Sequence, residues 1–267
     1  VKFNNSDGNF IWNITLEDFP GQLEGISLDS NDDIYVAGTP INNDDIIIIK
    51  FNASTLTSVC KVLDTANTIY NQNADIVNNT LTGPCFNITA ENVTFNGNGY
   101  YISSDDNQAG IYSDKYGTKV NGVNISMNNA LGGYGVHIRS NNASNCIIQN
   151  SLFDRQYSGI FLENGVDCMI RNNIVKNNLS DIAAYTVSID NSSDSSLINN
   201  TILGNGSFAL VLYNSINIKV LNNTIRGNSS KIFVINSSNN SLFSNNNVNS
   251  SRIIGKGNVI YLRGSTN

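Results

Sequence analysis

Charge is scarce in this sequence. Aspartate, glutamate, lysine and arginine make up 13% of its 267 residues, low for a water-exposed globular surface. No stripe of lysine and arginine runs along it, which excludes a nucleic acid backbone as partner. Histidine occurs once, at His137, and none of the four cysteines, Cys60, Cys85, Cys146 and Cys168, forms a C-x-x-C pair, so a zinc site is not expected. Long apolar runs are absent too. The longest purely aliphatic stretch is Ile46–Ile49, which predicts no membrane span. Strong helix formers are few, which leaves an all-β chain with many turns. The chain starts at Val1 with neither a methionine nor a charged-then-apolar leader, and reads as a mature or excised segment.

Asparagine takes the place of charge, with 49 copies. Hydrophobic residues still amount to 40%, and the formal net charge is −6, so the chain is not a disordered polar tract. Seventeen N-x-S/T acceptors occur, among them Asn13, Asn52, Asn78, Asn87, Asn92, Asn124, Asn142, Asn178, Asn199, Asn222 and Asn236. That density suits a protein carried through a glycosylating export route, hence an extracellular or cell-surface location with covalent N-glycans. An even cysteine number fits disulfides in an oxidising compartment, with four reduced buried thiols as the alternative.

From about residue 121 the sequence repeats itself. One half-unit reads Cys146-Ile-Ile-Gln-Asn150, then Cys168-Met-Ile-Arg-Asn172, Ser196-Leu-Ile-Asn-Asn200, Lys219-Val-Leu-Asn-Asn223 and Ser241-Leu-Phe-Ser-Asn245, preceded by a weaker copy ending at Asn128. The shared asparagine steps by 22, 22, 28, 23 and 22 residues. The 28-residue step implies a looped-out insertion around residues 179–184. A second half-unit keeps the same period through Ile138, Leu162, Ile189, Leu212 and Val234. Each short strand alternates apolar with polar residues, so one face is buried. A unit of this size cannot bury that face alone, but stacked copies can. Equivalent positions then lie above one another at roughly 4.8 Å. The asparagines Asn128, Asn150, Asn172, Asn200, Asn223 and Asn245 are expected to form a ladder at one corner, their amides bonding along the column. A leucine-rich horseshoe would need L-x-x-L-x-L-x-x-N spacing and convex helices, and neither is visible.

The half-unit I-x-N-[NS]-x-[IF] followed by G-I-x-L-x-N resembles the right-handed parallel β-helix repeat of extracellular and surface proteins. The stretch from Cys60 through Gly83-Pro-Cys85-Phe-Asn-Ile-Thr to Tyr100 is similar to the opening coils of archaeal surface proteins, whose paired cysteines bracket the first coil. The resemblance covers residues 58–267 and implies the handedness, with seven or eight coils. Residues 1–57 differ: they read as three or four antiparallel strands with a hairpin turn at 29–33, and resemble one blade of a β-propeller. Cys60 with Cys85 would close a loop of about 25 residues, worth about 3 kcal/mol in the chain-entropy account. Cys146 and Cys168 hold one repeat position and would stack either as a disulfide or as a pair of thiols.

Catalytic signatures are sparse. Polysaccharide lyases and hydrolases of this fold require a basic residue with calcium-binding acids, or clustered aspartates. The sets N-T-D, G-H-G and R-I-K are not intact. Asp105-Asp106 reads as a solvated turn, Asp154-Arg155 as a lone surface pair, and His137 as a surface residue or one facing a loop-lined groove. The segment from Asp29 to Asp33 mimics the start of a calcium loop but lacks its glycine and distant glutamate, so no cofactor is expected. Tyr100, Tyr101, Tyr112, Tyr116 and Tyr134 cluster ahead of the regular coils, where exposed rings stack on sugars or pack under loops. No amphipathic helix or charged cap follows the last strand, which implies either head-to-tail stacking with another copy or a truncated fragment. The sequence therefore predicts a non-catalytic structural subunit of a sheath, surface layer or filament, self-associating through open β ends. The alternative is a polysaccharide-binding or polysaccharide-cleaving β-helix.

Overall fold

The computed structural model describes residues 2–3, 10–12, 21–28, 34–40, 47–51, 54–127, 133–139, 144–154, 157–177, 184–205, 208–227, 233–250 and 260–263. The chain divides into two compact units, Val1–Ala53 and Ser54–Asn267. In the first, strands Gly21–Leu28, Ile34–Pro40 and Ile47–Phe51 form an antiparallel sheet, and Lys2–Phe3 pairs with Phe10–Trp12. The hairpin turn expected at 29–33 lies outside the described residues.

The second unit is a parallel β-helix. Each turn gives one strand to each of three parallel sheets, which have nine, nine and eight strands. Tyr134–Arg139 in the first sheet is followed by Ile147–Gln149 in the second and Leu152–Asp154 in the third. The chain then returns to the first sheet at Ser158–Glu163, directly beside Tyr134–Arg139. Short alternating strands dictate this arrangement: every second side chain points inward and stacks on its equivalent one turn away. In the second sheet the inward column is Tyr70, Phe95, Val120, Ile148, Ile170, Leu197 and Val220, all buried. The third sheet contributes Ile76, Ile102, Ile125, Phe153, Val175, Ile202 and Ile225, likewise buried. Each such side chain stabilises the fold by about 1.5–3 kcal/mol. In the first sheet the column runs Ile138, Leu162, Ile189, Leu212 and Ile235. Ile235 replaces the expected Val234, a slip of one residue in a run of four apolar residues, 232–235.

The corner between the second and third sheets is two residues long in each of six turns, Gly122–Val123, Asn150–Ser151, Asn172–Asn173, Asn199–Asn200, Asn222–Asn223 and Asn245–Asn246. Its first residue turns the chain in the left-handed region, with φ of 54° at Asn150, 55° at Asn172, 57° at Asn199, 56° at Asn222 and 55° at Asn245. Asparagine tolerates that conformation better than other non-glycine residues. The second residue points inward and builds the ladder. The backbone N–H and Nδ2 of Asn173 both donate to Oδ1 of Asn200 at 3.0 Å. Asn200 donates in the same way to Asn223, and Asn223 to Asn246. Each Nδ2 also donates to a core carbonyl, Ile148, Ile170 and Leu197 in turn.

The expected single ladder is thus two adjacent columns. Asn150, Asn172 and Asn245 are exposed turn residues, Asn200 and Asn223 are ladder residues, and Asn128 lies outside the described residues. Doubled asparagines hide a one-residue shift, and the true ladder steps through residues 151, 173, 200, 223 and 246. A serine ladder lines the corner between the first and second sheets, where Ser192 N–H donates to Ser215 Oγ and Ser215 N–H to Ser238 Oγ. Cys60 is bridged to Cys85 and Cys146 to Cys168, with Cα separations of 4.4 and 4.5 Å, so both pairs join consecutive turns.

Candidate functional site

The outward face of the first sheet carries a row of rings. Register places Tyr112, His137, Phe161, Ser188 and Val211 in one column, and Arg139, Glu163, Asp190 and Tyr213 in the next. A third column holds Tyr134, Ser158, Tyr185 and Phe208. Strands here are six residues long against three at Phe86–Ile88, which widens the face enough for three columns. Small residues sit on the inner side of the widened part: a Cβ on Gly135 would meet the Gly159 carbonyl oxygen and lie 2.6 Å from Phe153 Cδ1.

His137 is stacked on Phe161 with centroids 4.7 Å apart and planes 19° apart, and Tyr134 on Phe161 at 5.6 Å and 22°. Tyr112 meets His137 edge-on at 5.4 Å. Tyr157 bridges Tyr134 and Tyr185 edge-on, and Tyr185 stacks on Phe208 at 5.8 Å. Ser158 stands in the column between Tyr134 and Tyr185 and leaves a gap. The gap is a pocket of about 330 Å³ lined by Tyr134, Tyr157, Phe161, Tyr185, Ser188 and Asp190, among others. A second hollow of about 300 Å³ lies on the other side of Tyr134, against Tyr112, His137 and Gln108.

Charge enters this apolar groove at three points. His137 Nε2 lies 3.2 Å from Glu163 Oε2, and Arg139 Nε lies 3.3 Å from the same oxygen. Burial lowers the His137 pKa below 6.5, outweighing the upward pull of Glu163, and Arg139 lowers it further. The imidazole is therefore neutral near neutral pH, and a neutral imidazole oriented by a carboxylate is a competent general base. Burial raises the Asp190 pKa above 3.8, and the neighbouring Glu163 charge raises it further. Asp190 Oδ1 is buried and has no hydrogen-bond partner among the described residues. Burial also raises the Tyr134 and Tyr112 hydroxyls, which keeps both protonated as donors.

The profile of the right-handed β-helix region matches residues 109–267, well over half of the sequence. The chain belongs to the right-handed β-helix family. The A-modules of two mannuronan C-5 epimerases from Azotobacter vinelandii, AlgE4 and AlgE6, are similar in structure to this β-helix protein. Their TM-scores are 0.51 each, with 15% and 14% identity over 74% and 75% of this chain and 67% and 65% of theirs. The enzymatically active domain of tailspike protein 2 from bacteriophage CBA120 is also similar, with a TM-score of 0.48 and 10% identity over 86% of this chain and 50% of its own. At these identities the likeness to the two A-modules shows the fold alone. No curated protein matches the sequence.

The two A-modules, which belong to epimerases, overturn the expectation of a non-catalytic structural subunit that is no enzyme. The match begins at Ala109, so it does not extend to the N-terminal sheet, and it supports neither the propeller kinship nor an archaeal source.

Of the residues singled out in the sequence, His137, Tyr112 and Tyr134 fall in the groove of this β-helix. Tyr100 and Tyr101 are exposed elsewhere, and Tyr116 accepts a hydrogen bond from Asn145. Asp106 Oδ2 accepts from Leu81 N–H at 2.6 Å and from Ser104 Oγ, so it holds a loop. Asp154 is aligned with Lys176 one turn on, and Arg155 lies outside the described residues. Among the acceptor asparagines, Asn92, Asn199 and Asn222 are exposed, and Asn78, Asn87, Asn124 and Asn236 half-buried. Asn13, Asn52, Asn142 and Asn178, with the calcium-like segment 29–33, lie outside the described residues. Glu163, Asp190, Arg139, Phe161, Tyr157, Tyr185 and Phe208 were not foreseen. Their signal was in the register: Arg139, Glu163 and Asp190 each follow the inward residues Ile138, Leu162 and Ile189.

Proposed function

We propose that the protein is an extracellular β-helix that binds a polysaccharide along the outer face of its first sheet and acts on it by proton transfer. The observation that carries this reading is the row of rings from Tyr112 to Phe208 with the His137–Glu163 pair set into it. Flat apolar ring faces beside hydrogen-bonding groups suit pyranose rings, which present C–H faces and hydroxyl edges. A row that climbs from turn to turn suits a chain laid along the helix axis. His137 is the proton-accepting group, Glu163 orients it, and Arg139 balances the carboxylate. Two disulfides fit an oxidising, extracellular setting, and N-glycans on the exposed Asn92, Asn199 and Asn222 would lie off the groove.

The test is affinity electrophoresis of the purified protein against a panel of polysaccharides, with product analysis of the bound ones. A retarding polysaccharide is expected, with affinity falling at least about tenfold in Tyr134→Ala/Phe161→Ala. Glu163→Gln should retain binding and lose turnover. No retardation by any polysaccharide, or groove variants that bind like the parent, would reject the reading.

A further inference from the structure

The charges in the groove narrow the class of glycan. Along the outer face from Tyr112 to Tyr213, the described cations are Lys115 and Arg139. Lys115 Nζ is paired with Asp114 at 3.0 Å, and Arg139 with Glu163 at 3.3 Å. The carboxylates Glu163 and Asp190 stand next to each other in one column. A uronate bound here would lay its carboxylate beside two like charges, and the cation nearest to them is already committed. Asp190 adds a positive requirement. Its Oδ1 is buried in the wall of the 330 Å³ pocket without a donor among the described residues. A buried acceptor without a partner is costly, and a ligand that supplies an O–H removes that cost. Rings of Tyr134, Tyr157, Phe161 and Tyr185 make up much of the remaining wall, with Ser158 and Ser188 among them.

Resting on the reading of the groove as a polysaccharide site, we infer that its ligand is a neutral polysaccharide. One sugar hydroxyl donates to Asp190 Oδ1 while its ring lies between Tyr134 and Tyr185. The acidic glycan named for the Azotobacter neighbours is then the wrong class for this groove. Discrimination arises from like-charge repulsion together with the hydroxyl that a neutral sugar offers to Asp190.

The experiment uses matched pairs that differ in charge alone: alginate and polygalacturonate, each beside its carboxyl-reduced form, with glucan, mannan and galactan polymers as further neutral probes. Affinities are measured for the intact protein and for Asp190→Ala, Asp190→Asn/Glu163→Gln and Tyr134→Ala/Phe161→Ala. Neutral forms are expected to bind at least about tenfold more tightly than their acidic parents. Asp190→Ala should weaken neutral binding, and Asp190→Asn/Glu163→Gln should raise acidic binding towards the neutral level. Acidic forms that bind as well as or better than the neutral ones, with that binding lost in Tyr134→Ala/Phe161→Ala, would overturn the neutral assignment and leave the polysaccharide reading standing. Binding by no member of the set would overturn both.

Discussion

Asn172 and Asn173 are neighbours in one corner, yet replacing them should have unequal consequences. The Asn173 amide donates to Ile148 O at 2.9 Å and to Asn200 Oδ1 at 3.0 Å, and its Oδ1 accepts from Ser151 N–H at 3.1 Å. Asn173→Ala leaves the buried Ser151 N–H without this partner, which costs about 1–3 kcal/mol, and removes two further buried bonds worth about 1 kcal/mol or less each. Asn200 Oδ1 keeps the Asn173 N–H, which limits the damage. A loss of about 3 kcal/mol is expected. Asn172 is exposed, and what matters there is its φ of 55°. Asn172→Ala should cost about 1 kcal/mol and Asn172→Gly nearly nothing. Neither change touches an N-x-S/T acceptor, so glycosylation does not confound the comparison. Urea unfolding followed by circular dichroism, with matched m-values, measures all three. If Asn172→Ala lost as much as Asn173→Ala, the division into a turn column and a ladder column would be refuted.

Gly135→Ala should destabilise the β-helix by about 1–3 kcal/mol, since the new methyl meets the Gly159 carbonyl and Phe153; thermal unfolding tests it. Replacing Cys60 and Cys85 by serine opens a loop spanning 25 residues and should lower stability by about 3 kcal/mol; the same assay with and without reductant checks it. Asp190 and His137 respond oppositely to pH. The raised pKa of Asp190 means that its contribution is full below 3.8 and is lost as pH rises through the folded value. Asp190→Asn should therefore raise the melting temperature near pH 7 and not near about pH 3. The lowered pKa of His137 means stability that is full above 6.5 and is lost as pH falls towards the folded value. His137→Asn should remove that loss between about pH 7 and pH 5.

Much of the fold was legible because its signal is periodic. Ile148, Ile170, Leu197 and Val220 recur at one position, and only stacking can bury a three-residue strand repeated in this way. Register was legible to within one residue: Asn-Asn doublets at 172, 199 and 222 fit two alignments equally well, and the backbone φ decides between them. The groove was legible in fragments. Tyr112, Tyr134 and His137 drew notice as residue types, whereas Glu163 and Asp190 looked like ordinary ends of repeat strands. Their meeting depends on strands 24 and 27 residues apart in sequence lying side by side, so no local motif could announce it. The missing lyase and hydrolase signatures argued against an enzyme on local pattern alone, which misses side chains that converge across turns.

The two-residue corner shared by those six turns has a consequence for how such a molecule is inherited. One residue gained or lost in those corners would slide the strand that follows by one place and turn its oily face to water. Duplication of a whole turn would instead leave every column in step, so length is quantised in units of a coil. Smaller changes are tolerated where the third sheet hands back to the first, between Met127 and Tyr134, Asp154 and Ser158, Asn177 and Tyr185, and Gly204 and Phe208. Each of those segments leads in sequence to the column of Tyr134, Ser158, Tyr185 and Phe208, so length can change there while the repeating scaffold stays fixed.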